Sequence, residues 1–272
     1  MEYDAATLER TAKTFRSDMW GTACEDAVME CGIAEAWFGP VQVTTFEALP
    51  DDPGMNTILG AAEPGAVEEG HLANAIAWAD EFDVGYRVSV ARDRPGTAAA
   101  ENYLNHQGFE QGRGAWKYVR DVSWPDLPGN PAITVWEING EDAAGETMVF
   151  DAAPALGFPS KAASLLFGLP NQERWRTYTA ELEERIVSFG SMLIDGDVAQ
   201  VGLAATLPEA RGFGCNLVLL RRRILDAIEA GCNTIFAELG ESEAEGIAVA
   251  GRNLLRAGFV PAYRSMNWLR PR

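Results

Sequence analysis

Hydrophobic positions recur along this chain with two different spacings, which predict a mixture of helices and strands. In the first half, helical spacing predicts a long helix from about Ala5 to Met29 and another from Leu72 to Phe82. Short apolar runs bounded by Gly, Pro and Asp are typical of strands. In this half they are Ile33–Phe38, Val41–Leu49, Thr57–Ala61 and Tyr86–Val90.

The second half alternates between the same two patterns. Helices are predicted within Asp142–Ala155 and Lys161–Phe167, then from Leu217 to Ala230, with a last helix that ends at Ala257. Strands are predicted at Ile133–Ile138, Arg176–Glu183, Ile186–Ile194, Val198–Thr206 and Thr234–Leu239, with a final strand that runs to Arg270. The chain as a whole is predicted to be an α/β (α+β) protein.

The two halves align when the sequence is shifted by 150 residues. The series Ala100, Leu104, Gly108 and Phe109 then falls on Ala250, Leu254, Gly258 and Phe259. An apolar helix, a strand and a second helix keep the same order in both halves, which indicates a diverged repeat. A stretch with three prolines separates the copies, so we predict domains at 1–124 and 132–272 joined by a linker at 125–131.

A Gly-rich turn follows the strand Val198–Thr206. It reads Arg211-Gly212-Phe213-Gly214-Cys215-Asn216 and opens a helix. Backbone N–H groups at such a turn, together with the helix dipole, form a site for a phosphate-like anion. At the matching place the first half has the segment 64–70, which includes Glu68 and Glu69. Those carboxylates would repel a diphosphate, so only the second half is predicted to bind one.

This turn resembles the acetyl-CoA motif of the GNAT N-acetyltransferase superfamily, Arg/Gln-x-x-Gly-x-Gly/Ala. The run from Ala250 to Phe259 resembles the second motif of that family, and the resemblance extends over residues 198–269. It implies two GNAT-like units, each a mixed, largely antiparallel sheet flanked by helices. Two positions depart from the family pattern: Asn216 stands where the family has Gly or Ala, and Leu254 stands where many members have a Tyr general acid.

The resemblance also implies which residues would bind acetyl-CoA. The strand Val198–Thr206 would diverge from its neighbour, and a backbone N–H near Leu203 or Ala204 would point at the thioester carbonyl. The arginines at 221–223 and Arg252 are weaker candidates, because a helix directs three consecutive arginines to different sides. The residues predicted to contact the cofactor are Leu203, Ala204, Ala205, Thr206, Arg211, Gly212, Phe213, Gly214, Cys215, Asn216, Asn253 and Arg256.

Acetyl transfer to an amine needs groups that move protons. Glu238 ends the strand beside the expected divergence, and Glu183 lies on an earlier strand, so both are candidate general bases. With Leu254 in the usual place of the acid, Tyr263 is the candidate proton donor to the departing thiolate, although water is an alternative source. An exposed carboxylate without a catalytic role and a tyrosine packed in a strand are the alternative interpretations of these residues.

Composition limits the remaining function classes. The net charge of −18 disfavours nucleic acid and anionic membranes as partners. It would attract cationic amines, and the alternative interpretation is that it serves solubility or reflects an acid-rich proteome. Four cysteines without paired spacing and only two histidines argue against metal sites and disulfides, and they favour buried free thiols in a cytoplasmic protein. No apolar run is long enough for a membrane span.

The predicted function is transfer of an acetyl group from acetyl-CoA to a primary amine of a small molecule or peptide. A non-catalytic acyl-CoA-binding module and transfer of a longer acyl group are the alternatives. The oligomeric state stays open, and a monomer built as a pseudo-dimer fits the repeat.

Overall fold

The computed structural model describes residues 3–139, 143–152, 154, 160–241 and 245–270. Its helices are α1 Ala5–Gly21, α2 Glu25–Cys31, α3 His71–Ala79, α4 Thr97–His106, α5 Ala143–Ala152, α6 Cys215–Glu229 and α7 Glu245–Arg256. Its strands are β1 Ile33–Phe38, β2 Val41–Phe46, β3 Thr57–Leu59, β4 Arg87–Ala91, β5 Glu110–Gln111, β6 Ala115–Arg120, β7 Ile133–Ile138, β8 Trp175–Leu182, β9 Arg185–Asp195, β10 Val198–Thr206, β11 Thr234–Gly240 and β12 Val260–Leu269. This mixture confirms the predicted fold class.

The prediction of one helix from about Ala5 to Met29 is wrong, because this segment forms two helices, α1 and α2. Asp4 caps α1 by accepting the N–H of Ala6 at 3.0 Å and the hydroxyl of Thr7 at 2.7 Å. At the other end, the N–H and the hydroxyl of Thr22 both donate to the carbonyl of Asp18. The helix ends there because the backbone is extended at Cys24 (φ −67°, ψ 150°), the N-cap of α2. The segment predicted as a helix at Lys161–Phe167 is a 3₁₀ helix, Ser160–Leu166.

The twelve strands form one continuous sheet in the order β1-β2-β3-β4-β12-β6-β11-β10-β9-β8-β7, with β5 paired to β12. Only two pairs are parallel, β3 with β4 and β10 with β11. All other pairs in the described part of the chain are antiparallel. Each half therefore contributes one parallel pair to a mixed, largely antiparallel sheet, as predicted.

The last strand of each half is inserted into the other half. Strand β6 lies between β12 and β11, and β12 lies between β4 and β6. Ala115 and Ser265 are cross-strand partners, and their numbers differ by the 150 residues of the sequence repeat. A pseudo-twofold axis therefore passes between them. The sequence pattern did not reveal this exchange, which joins the two predicted domains through shared strands.

Helices cover both faces of the sheet. Leu72 of α3 and Leu104 of α4 are buried in a cluster on the first half, and Ile224 of α6 and Leu254 of α7 are buried in one on the second half. Helix α1 crosses the opposite face at the centre of the sheet and packs there in a buried cluster. The cluster consists of Leu8, Ala12, Ala91, Val119, Val198, Phe236 and Tyr263. Alternation along each strand puts these side chains on the face away from α6 and α7.

Candidate functional site

Strands β10 and β11 diverge toward their C-terminal ends. They pair only from Val198 to Gln200 on β10, although β10 continues to Thr206 and β11 to Gly240. The register of β10 with β9 shifts between Gly202 and Ala205, and Leu203 has a φ of 46°. A bulge of this kind bends its strand away from the neighbour. The predicted contact residues from 203 to 206 therefore lie along an edge of β10 that no described strand pairs with.

The Gly-rich turn lies directly after this edge. Gly212 and Gly214 have φ values of 88° and 92°, a region that favours glycine, and Gly214 is the N-cap of α6. The N–H groups of Ala210 and Arg211 bond to the carbonyls of Leu207 and Pro208, just before the turn. The next five N–H groups, at residues 212–216, bond to no acceptor in the described part of the chain. Five free donors at a helix N-terminus suit a diphosphate.

Two side chains hold this turn in place without covering its donors. Nδ2 of Asn130 donates to the carbonyl of Phe213 at 3.1 Å, so a residue of the predicted linker supports the turn. The exposed side chain of Arg211 folds back, and its Nε lies 3.4 Å from the carbonyl of Thr206. Residues 211–214 are exposed, so a ligand has access to this part of the turn.

A buried arginine braces the bulge, which the sequence pattern did not reveal. Nη1 of Arg223 donates to the carbonyls of Gly202 and Ser191, both at 3.1 Å. Burial lowers the pKa of Arg223 to about 10. From the other face, Phe15 packs so closely that a Cβ at Gly202 would lie 2.8 Å from its Cζ. Arg223 therefore shapes the strand and is not available to a phosphate; Arg222 is likewise bonded, to Asp226 at 2.9 Å.

The matching turn of the first half closes on itself. Gly70 is the N-cap of α3 with a φ of 76°, as Gly214 is of α6. Three of the five matching donors, at residues 68–72, are taken, however: the N–H of Leu72 bonds to the carbonyl of Ala66 at 2.7 Å, that of Glu69 to Gly65 and that of Gly70 to Val67. The carboxylate of Glu69 lies over Gly65, where a Cβ would be 2.8 Å from Oε1. This turn therefore lacks the row of free donors found in the second half, and the carboxylate of Glu69 would repel a diphosphate there.

Glu238 belongs to a charged network at the centre of the sheet. Lys117 is 2% exposed, and its Nζ lies 2.7 Å from Oε2 of Glu238 and 3.1 Å from Oε1 of Glu9. The Lys117 ammonium holds the pKa of Glu238 below its usual range, while the Glu238 side chain stays 38% exposed. Burial lowers the pKa of Lys117, but the charges of Glu238 and Glu9 outweigh it and raise that pKa above its usual value.

Tyr263 is part of the same network. Its side chain is buried, and its hydroxyl donates to Oε1 of Glu9 at 2.7 Å. Burial and the neighbouring carboxylate of Glu9 raise the pKa of Tyr263 well above its usual value. A raised pKa makes the hydroxyl a poorer proton donor, so this geometry does not favour the predicted acid role, which stays a prediction.

The overall arrangement of helices and strands resembles that of known structures. A GCN5-related N-acetyltransferase from Kribbella flavida superposes with a TM-score of 0.59 at 16% identity, covering 96% of this chain and 96% of its own. The chain has the GNAT fold. An acetyltransferase from the GNAT family of Colwellia psychrerythraea gives a TM-score of 0.57 at 14% identity, covering 99% and 98% of the two chains.

A tandem GNAT protein from the clavulanic acid biosynthesis pathway gives a TM-score of 0.59 at 16% identity, over 84% of this chain and 77% of its own. At such identities the likeness concerns the fold. No protein-family model matches the sequence. A search of curated proteins also finds no match.

Within this GNAT fold, the two departures from the family pattern have structural explanations. Asn216, in the first turn of α6, accepts a hydrogen bond from Nδ2 of Asn253 on α7 at 3.1 Å, so the structure brings two predicted contact residues together. Leu254 packs in the core under α6 and α7. The thiol of Cys215 is also buried, and burial raises its pKa.

Two predicted residues lie apart from this group. Glu183 is exposed at the tip of the β8–β9 hairpin with a φ of 52°, and β9 and β10 separate its strand from β11. Arg256 is exposed in the last turn of α7. Both roles stay predictions.

The residues that the structure describes contain no group of three or more His, Cys, Asp or Glu side chains that could hold a metal ion. Cys31, Cys215 and Cys232 are buried and form no disulfide among the described residues, but the expectation of burial was wrong for Cys24, which is exposed. Among the described helices, none is long and apolar enough to cross a membrane.

Proposed function

We propose that this protein transfers an acetyl group from acetyl-CoA to the amine of a small molecule or peptide. The observation that carries the proposal is the row of five free N–H groups at residues 212–216, placed at the end of an open strand edge. The turn would hold the diphosphate, and residues 203–206 would pair with the pantetheine arm in the manner of an added strand.

When bound, acetyl-CoA supplies an acetyl group activated as a thioester. The amine nitrogen forms the new N–C bond, the C–S bond breaks, and the thiolate takes up a proton. A backbone N–H in the bulge near Leu203 or Ala204 would donate to the developing oxyanion, a contribution of about 3 kcal/mol in comparable sites. Glu238, ionised and half exposed, would attract the ammonium form of the acceptor and accept its proton directly or through water.

The test combines two measurements on the full chain. Calorimetric titration with CoA measures binding, and a thiol assay measures CoA release from acetyl-CoA with polyamines, aminoglycosides, amino acids or peptides as acceptors. We expect micromolar binding and release that depends on the acceptor. Absence of CoA binding would contradict the proposal.

The state of the three candidate proton-transfer positions favours a second function, a non-catalytic acyl-CoA-binding module. Glu238 is ion-paired, Tyr263 is bonded to Glu9, and Leu254 replaces the usual tyrosine. The same measurements separate the two functions, because the module predicts CoA binding without thiol release. Release with longer acyl-CoA donors, but not with acetyl-CoA, would indicate transfer of a longer acyl group.

A further inference from the structure

Two arginines near the centre of the molecule lack anionic partners. Arg16 of α1 donates through Nη2 to the carbonyls of Gly54 and Met55, at 3.1 and 3.2 Å, but its buried Nε has no partner. The guanidinium of Arg87, at the start of β4, forms no hydrogen bond or ion pair with the described residues, and its Nε is also buried. Neither has a carboxylate within 4 Å among the described residues.

Both arginines lie on the face that α1 covers, with Glu238. Ala91, Ser265 and Ala115 are cross-strand partners and therefore share a face. Lys117 is two residues from Ala115, and Arg87 is four residues from Ala91, so both side chains are on that same face. Lys117 is the strand partner of Glu238, and α1, which carries Arg16, lies over this face.

The charges of this group influence one another. Burial, and then the positive charge of Arg87, lower the pKa of Arg16 to about 10, while Glu238 and Asp52 act in the opposite direction. Asp52 forms an ion pair with neither arginine among the described residues, and its carboxylate accepts the N–H groups of Gly54 and Met55. Two half-buried guanidinium groups that repel each other, in a protein with a net charge of −18, are stabilised if an anion binds beside both.

We propose that Arg16 and Arg87 bind a carboxylate of the acceptor, and that the acceptor is therefore an amino carboxylate such as an amino acid. The planar fork of a guanidinium matches a carboxylate in geometry and charge. The amino group would then lie toward Glu238, the only carboxylate of this group that combines partial exposure with a place beside the diverging strands among the described residues. This inference rests on the proposed acyl transfer.

The test compares matched acceptors. The L-amino acids, β-alanine and γ-aminobutyrate are assayed with acetyl-CoA as free acids and as the corresponding amides, and short peptides distinguish a free amino acid from a peptide C-terminus. We expect kcat/KM to be at least about 10-fold higher for the acid of the preferred pair. In R87Q, that preference should fall by about 10- to 100-fold through KM, with the amide unchanged.

Two variants serve as controls. R92Q removes an arginine just after the other end of the same strand. Its side chain is 46% exposed, and its Nε lies 4.0 Å from Oε1 of Glu101, so R92Q should leave kcat/KM unchanged for both acceptors. R87K keeps the charge but not the fork and should give an intermediate preference. Thermal melting shows whether each variant is folded.

A binding measurement tests this inference separately from the proposed function. Saturation-transfer NMR in the presence of CoA measures binding of each acid and amide without turnover. If acids bind more tightly than amides only when Arg87 is present, the inference holds even when no acetyl transfer occurs. Equal binding of acids and amides, or an equal loss for both in folded R87Q, would overturn it whether or not transfer occurs.

Discussion

The two turns that open α3 and α6 have the same framework and different chemistry. Each follows the first strand of a parallel pair, β3 or β10, and ends in a glycine N-cap with positive φ. That glycine is Gly70 in the first half and Gly214 in the second. In the first half three of the five matching N–H groups bond to carbonyls of the same turn, and Glu69 lies over its backbone. In the second half the N–H groups at 212–216 are free.

The comparison shows that a diverged repeat can keep its scaffold while losing a ligand site. The scaffold depends on backbone geometry and buried apolar residues, which both halves retain. The anion site depends on a few donors that face outward, and a turn that bonds to itself removes them. The first half is then free to contribute other features, such as α1 and the inserted strand β6.

The largest effect is expected when a carboxylate is introduced into the free turn. In G214E, a like charge about 4 Å from the diphosphate costs about 4 kcal/mol at an effective dielectric constant of 20, so CoA affinity should fall at least about 100-fold. G70E is the matched control, since neither glycine has an atom within 4 Å of a built Cβ and both have positive φ. Calorimetry with CoA should find G70E within about 2-fold of wild type; equal losses in both would end the comparison.

The next largest effect is expected when the hydrogen bonds from Arg223 to the bulge are removed. In R223M, the carbonyls of Gly202 and Ser191 lose their donor, and orphaned polar groups cost about 1–3 kcal/mol each. We expect urea unfolding to show a loss of about 2–4 kcal/mol and CoA to bind more weakly. R222M, which removes the 39% exposed neighbour that pairs with Asp226, should leave CoA affinity unchanged.

A change in pH dependence is expected for K117M. Lys117 lowers the pKa of Glu238, so its removal should raise that pKa and move the acid limb of kcat/KM to higher pH. In E238Q the limb should disappear. Because a carboxylate with a lowered pKa stabilises the fold above its unfolded-state pKa, the Tm difference between wild type and K117M should shrink as the pH falls through the folded pKa of Glu238. An unmoved limb would show that Glu238 does not control it.

The smallest expected effect is the dependence of kcat/KM on salt concentration. Residues 1–130 carry a net charge of −13 and residues 131–272 carry −5, so the first half should attract cationic acceptors more strongly. Raising NaCl from 0.02 to 0.5 M, about a fivefold shortening of the Debye length, should lower kcat/KM about 3-fold for a cationic amide. A zwitterionic amino acid should change less. A salt-independent kcat/KM for the amide would argue against attraction by the first half.

Much of the fold follows from periodicity and repeat spacing. Strands such as Ile33–Phe38, Ile133–Ile138 and Val198–Thr206 have the bounds that the apolar pattern predicts, because their side chains alternate against buried layers. The strand exchange could not be predicted, because β6 and β12 have equivalent patterns and fit the sheet of either half. The break after Gly21 depends on the extended backbone at Cys24, which helical spacing does not report.

The site was predictable only where the backbone carries it. Glycines at 212 and 214 mark a turn with positive φ, so the free N–H groups follow from the sequence. Partners that are distant in sequence, such as Lys117 for Glu238 or Arg223 for Gly202, are set by tertiary packing. Their effect on a side chain's charge or position is therefore visible only in the structure.

A crystal structure of the full chain with CoA tests the central claim most directly. We expect the diphosphate within hydrogen-bond distance of the N–H groups at residues 212–216, with the pantetheine arm along the edge of β10 at 203–206. A diphosphate seated against Glu68 and Glu69 in the first half, or a coenzyme bound away from Gly212, would contradict it.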